Sequence, residues 1–188
     1  MSVVTPERFA GALSWSEFLA GSTKELETRA NGFAAVELTP TQRERLERLK
    51  AAGLAKVLVI EEDWCGDAAR SGPVVARMAQ EAGLEARWFR RDSNLDLMDQ
   101  YLENGKSRAI PAIVFMDATL GYITHWGSRP AHVKAAKEQF GPLPAKDDPA
   151  WPEAFARFRT VLFGAYAQDY PNAIVEEFLS HLEMALLK

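Results

Sequence analysis

The sequence predicts an α/β chain of three layers, with helices on both faces of a mixed central sheet of about four strands and extra helices at both termini. Three observations predict it. Val57-Leu58-Val59-Ile60 is a short β-branched run without alternation, as expected of a strand buried on both faces. Strand-like and amphipathic helical segments then alternate to about residue 140, beginning with a βαβ crossover. Apolar stripes at helical spacing occupy the regions before residue 53 and after residue 152.

Element by element, Ser14-Trp15-Ser16-Glu17 reads as a capping box opening a helix that runs to about Thr28, with Trp15, Phe18, Leu19 and Leu26 on its buried face. Residues 31–38 read as a connection or a short extended piece. Thr39-Pro40 opens a second helix that ends at Gly53. Its charges, Arg43, Glu44, Arg45, Glu47 and Arg48, read as a solvated face held by near-neighbour ion pairs. After the first strand a helix begins near Asp67, carries Val74, Val75, Met78 and Ala82 toward the core and stops at Gly83; Glu85 to Arg91 is the next strand. Leu97, Met98, Tyr101 and Leu102 predict a helix ending at Gly105. Ala112 to Met116 and Tyr122 to Trp126 predict two paired strands joined by a turn near Gly121. Val133, Ala136 and Phe140 mark a further helix. Two amphipathic helices close the chain, with Phe155, Phe158, Leu162 and Tyr166 on one stripe, Ile174, Val175, Phe178, Leu182 and Leu186 on the other, and Tyr170-Pro171-Asn172 between them. One domain is expected over 1–188: a helical extension 1–53, a core 54–140, a linker 141–151 rich in proline and charge, and a helical pair 152–188 packed on the core.

The net charge of −4 on 188 residues gives no electrostatic case for nucleic acid or an anionic membrane as partner. No basic region followed by an apolar core opens the chain, and nowhere do eighteen apolar residues run together, so a cytoplasmic protein is expected. The chain has one cysteine, Cys65, which rules out an internal disulfide and a cysteine-based structural zinc site. His125, His132 and His181 are not spaced as a metal pair, and neither a metal nor a cofactor is expected.

Cys65 stands between the first strand and the helix that follows, in Trp64-Cys65-Gly66-Asp67-Ala68. Free N–H groups and the positive dipole end at the helix start favour thiolate, predicting a pKa below the ordinary value of about 8.5. Asp63 and Asp67 flank the sulfur and oppose that shift. A free cysteine is also often a small buried hydrophobe, but flanks such as Asp63, Gly66 and Asp67 are not core-forming and favour an accessible thiol.

These residues resemble the thioredoxin-like family, whose redox motif Trp-Cys-Gly-Pro-Cys lies between a core strand and a long helix. Pro73, eight residues beyond Cys65, matches the family's helix-kinking proline, and Ile110-Pro111 matches its pair before the next strand. The turn Asp117 to Gly121, the strand Tyr122 to Trp126 and Gly127 follow in family order, so the resemblance covers roughly residues 54 to 140. It implies a catalytic Cys65 and a substrate groove of Trp64, Gly66, Asp67, Ile110, Pro111 and Gly127. It also implies a cis-proline at Pro111 that brings the Ile110 backbone beside the sulfur. Trp64 and Trp126 either complete an apolar rim or belong to the core.

Departures limit what is carried over. Ala68 replaces the resolving cysteine, and Val59 stands where the family has a buried acid that serves proton transfer to that thiol. The implied activity is therefore monothiol exchange, with mixed disulfides resolved by an external low-molecular-weight thiol as co-substrate. Its partners would be protein or small-molecule thiols and disulfides, and the chain a monomer or weak dimer. Arg70, Arg108 and Arg129 are the cations expected to hold the carboxylates of an acidic thiol. The alternative is a redox-inert module that binds a protein partner in the groove beside Pro111.

Overall fold

The structure, a computed structural model, describes residues 3–187. Its sheet has the order β2-β1-β3-β4, formed by β1 (Lys56–Glu61), β2 (Glu85–Arg90), β3 (Ala112–Met116) and β4 (Tyr122–Gly127). β1 runs parallel to β2 and antiparallel to β3, and β3 pairs antiparallel with β4. The central strands β1 and β3 are buried almost throughout, which explains why their sequences do not alternate.

Side-chain alternation along β1 divides the interior. Val57 and Val59 face a large core with Ile113, Phe115 and Trp126, while Leu58 and Ile60 face a smaller one with Ala112, Val114 and Met116. The large core is closed by α2 (Trp15–Ala20), α4 (Pro40–Ala51), α5 (Ala68–Ala82), α8 (Trp151–Tyr166) and α9 (Asn172–Leu186), while α3 (Leu26–Ala35) packs on α5 and α7 (Ala131–Phe140) contributes Val133. The smaller core takes Phe9 from α1 (Pro6–Ala10) and Leu97 and Met98 from α6 (Leu95–Met98). This is the expected three-layer arrangement around a mixed sheet.

Several boundaries differ from expectation. The capping box at Ser14 and Glu17 is present, but α2 stops at Gly21 and a separate helix, α3, carries the chain through residues expected to be a connection. No side chain caps α3, Gly32 lies inside it, and Leu26 is exposed rather than buried, so no local signal marks the element. It exists because it packs on α5: a Cβ at Gly32 would lie 2.9 Å from Pro73 Cγ. The helix expected around Leu97 to Leu102 shrinks to one turn, with Tyr101 in the loop beyond it. A single antiparallel bridge, Leu13 to Trp88, joins the helical amino-terminal region to the β2 edge.

The charged face of α4 is not merely solvated. Thr39 and Gln42 form the capping box, and Gln42 Nε2 reaches Asn172 and Glu176 on α9. Arg45, with its side chain 15% exposed, pairs with Glu176 at 2.6 Å and Glu183 at 2.8 Å, and Arg43 pairs with Glu81 on α5. These charges join helices; only Lys50 and Glu47 form a pair within α4. Among the described residues no helix is long and apolar enough to cross a membrane.

Candidate functional site

β1 ends at Glu61, residues 62–67 turn over the sheet edge, and α5 begins at Ala68, with Asp67 at its N-cap. This geometry sets Cys65 on the floor of a cleft of about 510 Å3. Trp64, Gly66, Asp67 and Ile110 also line the cleft; Pro111 and Gly127 do not, and Gly127 lines a separate cavity. The Ile110–Pro111 peptide bond is cis, and the Cys65 Sγ–H points to the Ile110 carbonyl at 3.5 Å. Behind that carbonyl β4 packs so closely that a Cβ at Gly127 would lie 2.6 Å from Pro111 O.

Cys65 is only 8% exposed, so the accessible thiol expected from its flanks is not what is found. Nor is the pKa lowered. Burial pushes the Cys65 thiol up to about 11, and the charges of Asp67 and Glu61 add to that. The N–H groups of Ala68 and Asp67 pull the other way and lose, because one helix end is worth less than removing a thiolate from water. Of the two aspartates, only Asp67 acts on the sulfur. Asp63 accepts from Thr23 N at 2.7 Å and Thr23 Oγ1 at 3.3 Å, which holds its pKa down.

Asp67 is itself buried, and burial raises its pKa. Its carboxylate is held by Arg129 at 2.5 Å and accepts from Tyr166 Oη at 3.0 Å. Tyr166 belongs to α8, which roofs the cleft. A Cβ at Gly66 would meet Phe163 Cζ at 2.8 Å, so glycine is what lets α8 approach. Arg70, one turn into α5, donates to Gly66 O at 2.9 Å and stacks 3.7 Å from the Phe163 ring centre.

The expected site residues therefore separate. Trp64 is 51% exposed at the cleft edge with Arg91 5.1 Å above its ring, whereas Trp126 is a core residue with its Nε1 donating to Glu177. Of the three expected cations only Arg129 lines the cleft; Arg70 braces α8 and Arg108 pairs with Asp99. His125 lines a different cavity and bonds Tyr122 Oη. Sequence reasoning missed Arg91, Arg159 and the aromatic wall of Phe155, Phe158 and Phe163. The α8 stripe was visible as a buried face, but its partner was not.

Val59 is fully buried and apolar, yet two residues on, on the same strand face, Glu61 is also fully buried. Its carboxylate bridges Arg29 at 3.1 Å and accepts from Trp88 Nε1 at 2.9 Å; burial raises it to about 7 against the pull of Arg29. Among the described residues no group of three or more His, Cys, Asp or Glu side chains could hold a metal ion.

A family model described as thioredoxin matches residues 12–141. The chain belongs to the thioredoxin-like family. The match takes in α2 to α4 as well as the sheet, a wider span than the motif positions alone suggest. Two solved structures resemble the fold of this chain over nearly its whole length. One is a crystal structure of an HIV epitope-scaffold, 19% identical, with a TM-score of 0.65 over 95% of this chain and 97% of its own. The other is a protein of unknown function from Pseudomonas aeruginosa, 17% identical, with a TM-score of 0.65 over 97% and 99%. At these identities the likeness is one of fold alone. No curated protein matches the sequence. Ala68, three residues beyond Cys65, is fully buried in the same apolar cluster as the sulfur.

Proposed function

We propose that this thioredoxin-like protein performs thiol–disulfide exchange through Cys65 alone, with an external thiol resolving the mixed disulfide. The observation that carries the proposal is the placement of the sulfur, on a cleft floor beside the Ile110 carbonyl that precedes Pro111. An extended or small disulfide entering the cleft can pair with that backbone while its sulfur meets Sγ. The Cys65 thiolate attacks one sulfur of the incoming disulfide; a bond forms between them and the other half leaves as thiolate. Ala68 offers no second thiol, so the adduct persists until a second external thiolate attacks the substrate sulfur and returns Cys65. Such a cycle needs a reducing compartment that supplies small thiols, which is the cytoplasm.

The test is intact-mass spectrometry after incubation with a small disulfide. The expected product is one adduct, lost in Cys65→Ser, stable without added thiol and released by it. If the folded chain forms no adduct under alkaline conditions that label the unfolded chain, the proposal fails.

A second reading has its own support. With Cys65 only 8% exposed and its pKa pushed up to about 11, the resting site is a poor nucleophile at neutral pH, as a redox-inert binding module would have. On that reading Cys65→Ser retains the affinity of any protein partner held beside Pro111, whereas the exchange reading requires the captured partner to be lost.

A further inference from the structure

Apart from the Cys65 cleft, a second cavity of about 430 Å3 opens between α3, the first turn of α5 and the carboxyl end of α8. Gly32 belongs to its lining, and only glycine fits there, because a Cβ would run into Tyr170 Oη and lie 2.9 Å from Pro73 Cγ. Three rings, those of Phe163, Tyr166 and Tyr170, form the wall opposite α3. Both tyrosine hydroxyls are committed elsewhere: Tyr166 Oη donates to Asp67 at 3.0 Å and Tyr170 Oη to the Arg70 carbonyl at 3.0 Å. The rings therefore offer the cavity carbon surface.

Polar recognition falls to Arg70 and Asn31. The half-buried Arg70 guanidinium lies 3.7 Å from the Phe163 ring centre and 5.6 Å from that of Tyr166, and its Nη1 donates to Gly66 O at 2.9 Å. Among the described residues its Nε and Nη2 have no hydrogen-bond partner, Arg70 forms no ion pair, and the Asn31 amide side chain is likewise free. No Asp or Glu lines this cavity. Asp67, which feels the Arg70 charge, lines the Cys65 cleft and is held there by Arg129 and Tyr166; Glu25 accepts from Thr28 Oγ1 and lines that cleft too.

Nε and Nη2 form one edge of a guanidinium, the edge that meets both oxygens of a carboxylate in parallel. Stacking on Phe163 and the bond to Gly66 O hold that edge in place, so little order is lost when it binds. The volume suits a ligand of about one or two fused rings. We infer that this cavity is a second ligand site, taking a small aromatic carboxylate whose rings pack among Phe163, Tyr166 and Tyr170 and whose carboxylate meets the Nε–Nη2 edge of Arg70. Cys65 does not line the cavity and no covalent step is involved, so the site stands apart from the exchange reading.

The test titrates 1-naphthoate, neutral 1-naphthylmethanol and cationic 1-naphthylmethylamine into the isotope-labelled full chain, with amide shifts in NMR spectra reporting both affinity and place. Naphthoate should shift Asn31, Gly32, Ala35 and Ala167 and bind about fivefold to tenfold tighter than the alcohol, as one charge-assisted contact provides, with the amine weakest. Arg70→Gln should abolish that preference. Ala35→Trp, at the exposed end of α3, should fill the cavity and weaken naphthoate and the alcohol together. Circular dichroism checks the fold of both variants, and the comparison of the three probes on wild type needs neither. Equal affinity for the three probes, shifts centred on Trp64, Cys65 and Ile110, binding that survives Ala35→Trp, or no shift at millimolar naphthoate would each overturn the inference, leaving exchange at Cys65 untouched.

Discussion

At the residue scale, the chemistry of Cys65 is decided by competition between a helix start and a desolvated sulfur. Burial pushes the thiol up to about 11, so alkylation should keep accelerating as pH rises past the ordinary cysteine value of about 8.5. A plateau at or below that value in a pH series with iodoacetamide would contradict the described environment. Asp67 contributes more than Glu61 of the charge effect that adds to the shift, and it holds Arg129. Asp67→Asn should therefore lower the Cys65 pKa by about one unit, because it removes an anion and leaves a cation beside the sulfur. Ala68 lies in the same cluster as the sulfur, so Ala68→Cys should form a disulfide with Cys65 on mild oxidation. A mass unchanged by oxidation, with both thiols still alkylated, would show that the turn geometry is not as described.

At the scale of elements, two contacts matter most. The first is the Glu61–Arg29 pair between β1 and α3, in which both side chains are fully buried. Because burial raises Glu61 to about 7 from an ordinary 4.5, the folded chain holds its proton more tightly than the unfolded chain does. That contribution is complete below the unfolded value and is lost as pH rises through about 7. Glu61→Gln should flatten this part of the stability–pH curve measured by urea denaturation. Glu61→Leu should destabilise by roughly 3 to 5 kcal/mol, since it leaves the Arg29 charge buried without a partner. The second contact is α8 against the β1–α5 turn. Tyr166→Phe removes a buried hydrogen bond to Asp67 and should cost about 1 to 3 kcal/mol. It should also loosen the roof over Cys65, read as faster alkylation at fixed pH. Unchanged alkylation in a variant with the expected loss of stability would mean that α8 does not shield the sulfur.

For the whole molecule, the family-matched segment does not contain its own complete core. Leu162, Ala165, Tyr166, Ile174, Val175, Phe178, Leu179 and Leu182, all from α8 and α9, belong to the same buried cluster as β1, β3 and α5. A chain ending at residue 144 should therefore lose cooperative thermal unfolding and aggregate, because a large apolar face of sheet and α5 meets water. A cooperative melt near that of the full chain would show the helical pair to be dispensable.

The sequence by itself determined the sheet and the position of the sulfur. The unalternating β-branched run of β1, the capping boxes at Ser14 and Thr39 and the order of Cys65, Pro73, Pro111 and Gly127 are local or near-local signals, each readable from a few neighbouring side chains. The tertiary structure alone decided what surrounds that sulfur. Helix α3 exists through its packing on α5, Glu61 is tolerated inside because Arg29 and Trp88 reach it, and α8 brings Tyr166, Phe163 and Arg159 to the cleft from about a hundred residues away. Burial and ion pairing depend on which elements meet, and no local periodicity records the partner, so the expected accessible and acidic thiol became a buried and neutral one.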